Sequence, residues 1–461
     1  MARFSPLLSP YSKKIKTLSR SATSAQAPGS SVSRLPRNLD PAQHPFERAR
    51  EYTRALNAVK LERMFAAPFI GQLGRGHVEG VYTLACDSES LARCVSGSGD
   101  GVVKVWDLPA RKEVWSVKGH DNLVRAACWT RDRRVLSCAV DRSVKLWDPY
   151  DDDERSKVMP VATYLGSAPF TSLSFHGSVA CFAAAAANEV SVYDLARPSN
   201  TPVQSLKWPT SVDTVTNVAF NQVETSILAS TATDRSIILY DLRTSSPLSK
   251  TTLTLASNAI SWNPMEAFNF AVANEDHNVY IFDMRKIDRA LNMLKGHVAA
   301  VMDVQFSPTG EELVTASYDR TIRLWNRNQG HSRDVYHTKR MQRVFSCRFT
   351  QDSNYVLSGS DDGNIRLWRT NASQRQGVKS ARQREKLEYD AALVERYKHM
   401  PEINRIKRHR RLPKPVKKAA EIKNEEIRAI KRRVENERKH SKKGLVKRRS
   451  EREKMILANE Q

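Results

Sequence analysis

The 461-residue chain lacks several features that would indicate common functional classes. It has no hydrophobic run long enough to span a bilayer, which argues against an integral membrane protein. It also has no Gly-rich phosphate loop, no metal-ligand spacing and no nucleophile motif. We therefore expect a protein that is not an enzyme, with no catalytic residues, metal, cofactor or small-molecule substrate, and with no membrane partner.

Cysteine is scarce and shows no pairing pattern. A disulfide framework or a zinc site needs regularly spaced cysteines, and this chain has no Cys-x-x-Cys pair. Most of its cysteines lie in apolar, strand-like stretches, so we expect reduced core residues of an intracellular protein. The six cysteines are Cys86, Cys94, Cys128, Cys138, Cys181 and Cys347.

Acidic residues are missing from the start of the chain, where the first one is Asp40. The Ser-, Pro- and Arg/Lys-rich stretch before it is similar in composition to a mitochondrial transit peptide. It lacks the amphipathic helical stripe of such a peptide, so we favour a disordered basic arm over residues 1–37.

The positive charge is confined to the two ends of the sequence. Residues 1–60 hold 11 Lys and Arg against 3 Asp and Glu, and residues 375–461 hold 29 against 13. The stretch between them is balanced at 34 against 34. Basic arms on a neutral body indicate a polyanionic partner such as nucleic acid.

One segment type recurs seven times: a strand of small residues, an Asp-containing turn, and an alternating apolar strand that ends in an aromatic residue. The spacings between successive aromatics are 41, 46, 47, 42, 43 and 43 residues, which is the period of WD repeats. The aromatics are Trp106, Trp147, Tyr193, Tyr240, Phe282, Trp325 and Trp368.

A Gly-His dipeptide precedes three of these aromatics by 27 to 29 residues. In WD repeats this His, the turn Asp and the strand Trp form a buried hydrogen-bond relay. Buried polar groups are costly unless paired, so the fixed repeat position favours a structural role over a catalytic or metal-binding one. The three complete sets are His77, Asp100 and Trp106; His120, Asp141 and Trp147; and His297, Asp319 and Trp325.

Each repeat supplies a four-stranded antiparallel sheet, which cannot bury both of its faces alone. Sheets packed around an axis bury their faces against each other, so we predict an all-β, seven-bladed WD-repeat β-propeller over residues 61–371. Residues 64–73 are expected to add an outer strand to the seventh blade and so join the two ends of the ring. Before the ring, residues 38–60 are predicted to be extended and then to form a short helix.

After the ring, residues 372–461 are predicted to form a basic α-helical C-terminal domain, with helices over residues 381–398 and 416–440. These helices carry too little apolar surface to fold alone, so they need a partner: the propeller, another protein or RNA. The densest basic patch is a candidate for phosphate contacts, and the competing interpretation is a solvated helix face. Its candidate residues are Arg405, Lys407, Arg408, Arg410, Arg411 and Lys414.

Several segments outside the repeat pattern are distinctive, in the arms as well as in the ring. They are Asn38-Leu39-Asp40-Pro41, Trp262-Asn263-Pro264-Met265-Glu266, Ala273-Asn274-Glu275-Asp276 and Arg408-His409-Arg410-Arg411-Leu412-Pro413-Lys414. On these segments the chain resembles the WD-repeat and SOF-domain family of ribosome-biogenesis proteins. WD repeats alone would identify only a fold, and the segments outside them make the resemblance specific.

The resemblance implies a non-enzymatic scaffold of the small-subunit processome. Such a scaffold associates with the box C/D small nucleolar ribonucleoprotein and is needed for pre-rRNA processing to 18S rRNA and small-subunit assembly. The implied partners are pre-rRNA, the small nucleolar RNA particle and other processome proteins. The implied location is the nucleolus, within the nucleus.

Animal members of the family are also described as substrate receptors of cullin-RING ubiquitin ligases, which is the alternative function, with a cullin ligase adaptor as partner. Such receptors carry a Trp-Asp-x-Arg box near the end of a strand. The competing interpretation is that Asp and Arg only close a turn. The nearest matches here replace Trp by another aromatic: Tyr240-Asp241-Leu242-Arg243 and Phe282-Asp283-Met284-Arg285.

Overall fold

The computed structural model describes residues 43–151, 158–197, 200–244, 246–374, 377–442, 445–446 and 448–460. The chain divides into two compact units. The ring unit comprises Pro68–Asn371 and Arg410–Gln461, and the helical unit comprises Ala372–His409 and the N-terminal segment up to Ala67. The predicted disordered arm, residues 1–37, lies outside the described residues.

The ring unit contains seven antiparallel sheets, the blades of a β-propeller, within the described residues. Its first strand, β1 (Phe69–Gln72), belongs to the last blade. Blade one consists of β2 (Val81–Cys86), β3 (Arg93–Ser98), β4 (Val102–Asp107) and β5 (Lys112–Lys118). Blade two consists of β6 (Val124–Trp129), β7 (Val135–Ala139), β8 (Ser143–Trp147) and β9 (Ala162–Leu165). Blade three consists of β10 (Phe170–Phe175), β11 (Cys181–Ala186), β12 (Glu189–Asp194) and β13 (Gln204–Leu206).

The remaining four blades follow the same order. Blade four consists of β14 (Val215–Phe220), β15 (Ile227–Ala232), β16 (Ser236–Asp241) and β17 (Ser246–Leu253), and it gains one more strand described below. Blade five consists of β18 (Ser257–Trp262), β19 (Asn269–Asn274), β20 (Asn278–Asp283) and β21 (Asn292–Lys295). Blade six consists of β22 (Val301–Phe306), β23 (Glu312–Ser317), β24 (Ile322–Asn326) and β25 (Ser332–Tyr336). Blade seven consists of β26 (Val344–Phe349), β27 (Tyr355–Ser360), β28 (Ile365–Arg369) and β1.

The ring closes because strands from its two ends pair with each other. The first strand of each blade contacts the first strand of the next, and β26 contacts β2. Strand β1 pairs antiparallel with β28, with Phe69 opposite Trp368 and Gln72 opposite Arg366. The predicted closing strand is thus confirmed, and it is shorter than residues 64–73, because a helix extends to Met64 and residues 65–68 are irregular.

Six apolar clusters of the ring each join two neighbouring blades. The cluster between blades seven and one, for example, contains Leu357, Ile365, Val81 and Trp106. Alternation within the strands explains this arrangement, because each sheet presents apolar side chains to both neighbours. The six cysteines are free thiols within this structure, and burial raises the pKa of Cys86 and Cys128 to about 12.

The predicted relay is present in blades two and six with one additional member. His297 Nδ1 lies 2.8 Å from Asp319 Oδ2. His297 Nε2 lies 2.7 Å from the Thr315 hydroxyl, which accepts a hydrogen bond of 2.9 Å from Trp325 Nε1. Burial alone would raise the pKa of Asp319, but His297, Arg323 and the Thr321 hydroxyl together outweigh burial and hold that pKa far below its ordinary value.

Blade two repeats this geometry with different residues. His120 contacts Asp141 at 2.8 Å and the Ser137 hydroxyl at 2.7 Å, and Trp147 Nε1 donates to the same hydroxyl at 2.8 Å. The sequence did not reveal the hydroxyl residue, because Ser and Thr occur throughout the small-residue strands. Its signal is positional: each hydroxyl lies ten residues before the Trp.

Blade one departs from the predicted relay. His77 Nε2 contacts the Ser96 hydroxyl at 2.7 Å, and Trp106 Nε1 donates to the same oxygen at 2.8 Å. Asp100 instead accepts a hydrogen bond from the backbone N–H of Val102, and His77 Nδ1 has no hydrogen-bond partner among the described residues. The set of His77, Asp100 and Trp106 is therefore incomplete in this structure.

The helical unit contains α1 (Glu47–Met64), α2 (Ala381–Arg396) and α3 (Pro401–Arg408). Its core consists of Ala55 and Val59 from α1, Leu393 from α2 and Ile403 from α3. The buried carboxylate of Glu51 accepts hydrogen bonds from Arg396 at 2.8 Å and from the Tyr397 hydroxyl at 3.0 Å. Helix α1 continues beyond residue 60, where our predicted helix ends, and Arg63 in this extension donates to the carbonyl of Lys407 in α3.

The second half of the C-terminal segment belongs to the ring unit. It contains α4 (Lys414–His440) and a last strand, β29 (Ile456–Glu460), which pairs with β17 and gives blade four a fifth strand. Met455 is buried in the cluster between blades four and five. We had predicted one helical domain over residues 372–461, and the described part of that segment divides between the two units. None of the helices in the described residues is long and apolar enough to cross a membrane.

The relay geometry predicts unequal costs for equivalent substitutions. Asp319→Ala should lower the free energy of unfolding by about 3 kcal/mol, because it leaves buried partners of a charged group unpaired. Asp100→Ala should cost about 1 kcal/mol, because it removes only the turn hydrogen bond. Urea denaturation and thermal melting of the two variants check this order. Equal losses would contradict the inference that blade one lacks the Asp–His contact.

The last strand should be held mainly by one side chain. Met455→Ala should release β29 from blade four, because it removes the buried anchor, whereas the control Leu457→Ala removes a side chain that is 58% exposed. Hydrogen exchange of the Thr254 amide, which donates to the carbonyl of Met455 at 2.9 Å, measures the release. Faster exchange is expected in Met455→Ala only, and the same protection in both variants would refute the anchor role.

Candidate nucleic-acid interface

Three of the six candidate phosphate-binding residues lie on α3, in the helical unit. Ile403 is buried in the helical core and Ile406 packs against it. Arg405 and Arg408, which are one helical turn apart, are exposed. Lys407 is also exposed, and its backbone carbonyl accepts a hydrogen bond of 2.8 Å from Arg63. The helix therefore buries an apolar side and presents cations to solvent.

The other three candidates lie at the start of the C-terminal part of the ring unit. Arg411 is exposed, while its carbonyl oxygen lies 3.1 Å from His337 Nε2 at the end of blade six. Lys414 is exposed and is the first residue of α4, whereas Arg410 is half-buried. The backbone of this segment is thus fixed to the ring while two of its three cationic side chains face solvent.

The first turn of α4 concentrates positive charge where a helix normally avoids it. It contains Lys414 and Lys417 and no acidic residue, and Lys418 follows directly. The N-terminus of a helix carries partial positive charge, so each cation there costs roughly 0.3–1 kcal/mol. This arrangement does not serve helix stability, and a bound phosphate would relieve it, because backbone N–H groups and the lysines attract the same anion.

Two polar contacts that the sequence did not predict hold α4 on the ring. Lys423 Nζ donates to the carbonyl of His297 at 3.1 Å, and burial lowers the pKa of this lysine. Glu451 forms ion pairs with Lys431 of α4, at 2.8 Å, and with Lys295 of blade five. The hydrogen bonds from these two lysines lower the pKa of Glu451 to about 2. The apolar residues in the second half of α4 play little part, since Ile427, Ile430 and Val434 are 37%, 61% and 40% exposed.

The two Asp-x-Arg motifs lie at equivalent places in blades four and five, where each Asp is the last residue of the third strand. Asp241 is buried and accepts two hydrogen bonds from Arg243. The guanidinium Nη2 lies 2.9 Å from Oδ2, and the backbone nitrogen lies 2.9 Å from Oδ1. These hydrogen bonds hold the pKa of Asp241 below its ordinary value. The Arg243 side chain is 75% exposed, so much of its guanidinium faces solvent.

Asp283 and Arg285 repeat the arrangement, with the guanidinium 3.0 Å from the carboxylate. Arg285 also lies over the ring of Phe268 at 4.0 Å and is 61% exposed. Turn closure alone does not require such an arginine. In blade three, Asp194 accepts a hydrogen bond of 2.9 Å from the backbone N–H of Ala196, which is the equivalent position. The Asp therefore closes the turn, and the Arg is additional to it.

The chain matches two family models. The Sof1-like domain matches residues 370–456, and the WD domain, G-beta repeat, matches residues 70–107, 111–148, 289–326 and 330–369. The WD matches cover blades one, two, six and seven. In the third strands of the three blades between them, Tyr193, Tyr240 and Phe282 occupy the place of the Trp.

Relatives resemble the chain over nearly its whole length. Protein SOF1 of Saccharomyces cerevisiae is 50% identical and covers 93% of this chain and 92% of its own length. Protein sof1 of Schizosaccharomyces pombe is 53% identical over 96% and 99% of the two chains. The protein named DDB1- and CUL4-associated factor 13 of Mus musculus is 43% identical over 96% and 99%. With this similarity across the ring and the C-terminal segment, the chain belongs to the Sof1 family of WD-repeat proteins.

Proposed function

We propose that the protein is a non-enzymatic scaffold of the small-subunit processome that acts in the nucleolus. It associates with the box C/D small nucleolar ribonucleoprotein and with pre-rRNA, and it supports the processing of pre-rRNA to 18S rRNA. Membership of the Sof1 family supports the proposal, since the resemblance that implies this role covers the ring and the C-terminal segment alike.

The observation that carries the proposal is the set of exposed cations on α3 and at the start of α4. Helix α4 alone contains ten Lys and Arg against five Asp and Glu. Its first turn has no acidic residue to offset the lysines, as described above. Exposed cations on a fixed backbone are suited to the phosphates of RNA.

The chemistry of this interface is backbone contact. Arg offers a planar fork of donors to phosphate oxygens, and Lys offers a point charge. No aromatic residue occurs between Arg405 and Lys414, so this segment lacks a stacking platform for bases. We therefore propose that it positions RNA without reading its sequence, and that binding weakens steeply with salt.

Substitution of exposed cations tests the proposal better than deletion of residues 375–461, because deletion would also remove α4 and β29 from the ring unit. A variant with four Gln residues at Arg405, Arg408, Arg411 and Lys414 should bind single-stranded RNA more weakly. The slope of log K against log salt should fall by about 0.7 for each phosphate that the variant no longer neutralises. Fluorescence polarisation at several KCl concentrations measures both quantities.

A matched control removes the same charge from four exposed positions on the blades of the ring: Gln at Lys112, Arg131, Lys207 and Arg289. The control should bind RNA as the unaltered protein does, and it should co-sediment with pre-ribosomes, whereas the first variant should not. An equal loss in both variants would mean that only net charge matters, and it would refute this interface.

A second candidate function is that of a substrate receptor for a cullin-RING ubiquitin ligase. The relatives named DDB1- and CUL4-associated factor 13 motivate it. The favouring observation is that Arg243 and Arg285 are exposed at equivalent places on adjacent blades, where turn closure does not need them. In this proposal the two guanidinium groups, each oriented by its own Asp, contact a DDB1-type adaptor, and both functions are compatible in one chain.

The double variant Arg243→Gln with Arg285→Gln should lower affinity for purified DDB1 by roughly 30-fold or more, the loss typical of a central interface arginine. The control is Arg134→Gln, which removes a half-buried arginine that pairs with Asp148 at 3.1 Å in blade two. Biolayer interferometry gives both affinities. Unchanged binding by the double variant would remove these motifs from the receptor hypothesis.

A further inference from the structure

Every blade carries a β-bulge at the same place in its first strand. A bulge turns an extra side chain out of the regular alternation. All seven bulged residues line one cavity of about 290 Å³, at the mouth of the channel that the first strands surround. They are Tyr82, Arg125, Thr171, Thr216, Asn258, Met302 and Phe345.

In blades three to five, the ring itself uses these side chains. Thr171 donates to the carbonyl of Val215 at 2.7 Å, and Thr216 donates to that of Ser257 at 2.8 Å. Asn258 donates in the same way to the carbonyl of Val301 at 3.0 Å. Each hydrogen bond joins one blade to the next, so the bulged side chains in this half of the mouth have a structural role.

The opposite half of the mouth is aromatic. Tyr82 and Phe345 stack with ring centroids 4.6 Å apart, and Tyr318 meets Phe345 edge-on at 5.8 Å. Tyr318 is 38% exposed, and the other two rings are half-buried. Burial and the nearby Asp361 raise the pKa of the Tyr82 phenol, which stays neutral. These rings form a surface that a planar group can stack on.

Four charged side chains surround this aromatic half: Arg125, Arg343, Glu79 and Asp361. All four residues are exposed, and none forms an ion pair with another residue in the part of the chain that the structure describes. The Arg343 guanidinium lies over Tyr318 at 5.4 Å. Guanidinium groups suit phosphate oxygens, and carboxylates accept hydrogen bonds from the amino groups of bases.

Helix α4 lies at the same end of the ring. Lys423 donates a hydrogen bond to the carbonyl of His297, which lies in the loop before β22, five residues before the bulged Met302. The Gly-His loops of blades one and two stand in the same relation to Tyr82 and Arg125. The net positive charge of α4 therefore acts on this mouth, where it attracts a polyanion and repels a basic peptide.

We propose that the aromatic half of the channel mouth binds an unpaired RNA base that carries an exocyclic amino group. The base stacks on the cluster of Tyr82, Tyr318 and Phe345, and Glu79 and Asp361 accept hydrogen bonds from its amino group. Arg125 and Arg343 contact the flanking phosphates, and α4 holds the rest of the strand. This inference rests on the proposed function, because it assumes that the basic arm brings RNA to this face.

The test compares binding of fluorescein-labelled oligocytidine and oligouridine to the full chain. The unaltered protein should prefer oligocytidine, because uracil has no amino group. Tyr82→Leu with Phe345→Leu should lower the affinity for oligocytidine roughly tenfold, the typical loss of one stacked base, and should leave the salt dependence unchanged. Glu79→Gln with Asp361→Asn should abolish the preference for cytidine over uridine.

The matched control is Tyr150→Leu with Phe268→Leu. These two aromatics are 41% and 37% exposed, and each lies under an arginine, Arg93 at 5.7 Å and Arg285 at 4.0 Å. The control should bind both oligonucleotides normally. Circular dichroism and melting temperature establish that the variants are folded. If the double leucine variant does not fold, Tyr318→Leu is used in its place, because Tyr318 is the most exposed of the three rings. The same loss of affinity for oligocytidine is expected.

Unchanged oligocytidine binding by the folded leucine variant would overturn the inference. A second result would also overturn it: the leucine variant no longer binds an oligoarginine probe but still binds RNA. That result would mean that the channel mouth binds a basic protein segment. If the variant with four Gln residues in the basic arm loses RNA while the leucine variant keeps it, the proposed function stands and only this inference fails. If the unaltered chain binds neither oligonucleotide, both fail.

Discussion

The structure depends on the burial of each blade against its neighbours. A four-stranded sheet of this kind has apolar side chains on both faces, and six apolar clusters of the ring lie between blades. Removing one blade would expose two such faces, so the ring has to close. Pairing of β1 with β28 completes the seventh blade with a strand from the start of the ring, and it leaves blade one packed against blade seven.

The C-terminal segment carries excess positive charge and contributes a part to each of the two units. Its first part buries Leu393 and Ile403 against the N-terminal helix α1. Its second part is fixed to the ring by Lys423, by the ion pairs of Glu451, and by Met455 and β29. These contacts use few of the cations, so Arg405, Arg408, Arg411 and Lys414 remain exposed on backbone that is held in place.

Equivalent positions in the repeats carry different polar groups, and the differences separate structural from functional roles. Asp319 contacts the imidazole of His297, whereas Asp100 accepts a hydrogen bond within its own turn. Asp194 closes a turn without an arginine, whereas Asp241 and Asp283 each hold one. At the bulges, Thr171 and Thr216 bond the next blade, whereas Tyr82 and Phe345 stack on each other at the mouth of the channel.

The sequence by itself determined the seven-bladed ring, its closing strand and the basic character of its ends. These properties follow from a repeated pattern and from charge, both of which can be counted along the chain. It also identified Asp241 with Arg243 and Asp283 with Arg285, because these motifs are local. Tertiary structure alone decided the hydroxyl members of the relay, the missing contact between Asp100 and His77, and the docking of β29. It also brought Tyr82, Tyr318 and Phe345 together. The contacts of β29 and of the aromatic cluster join residues far apart in sequence, and no local pattern marks either partner.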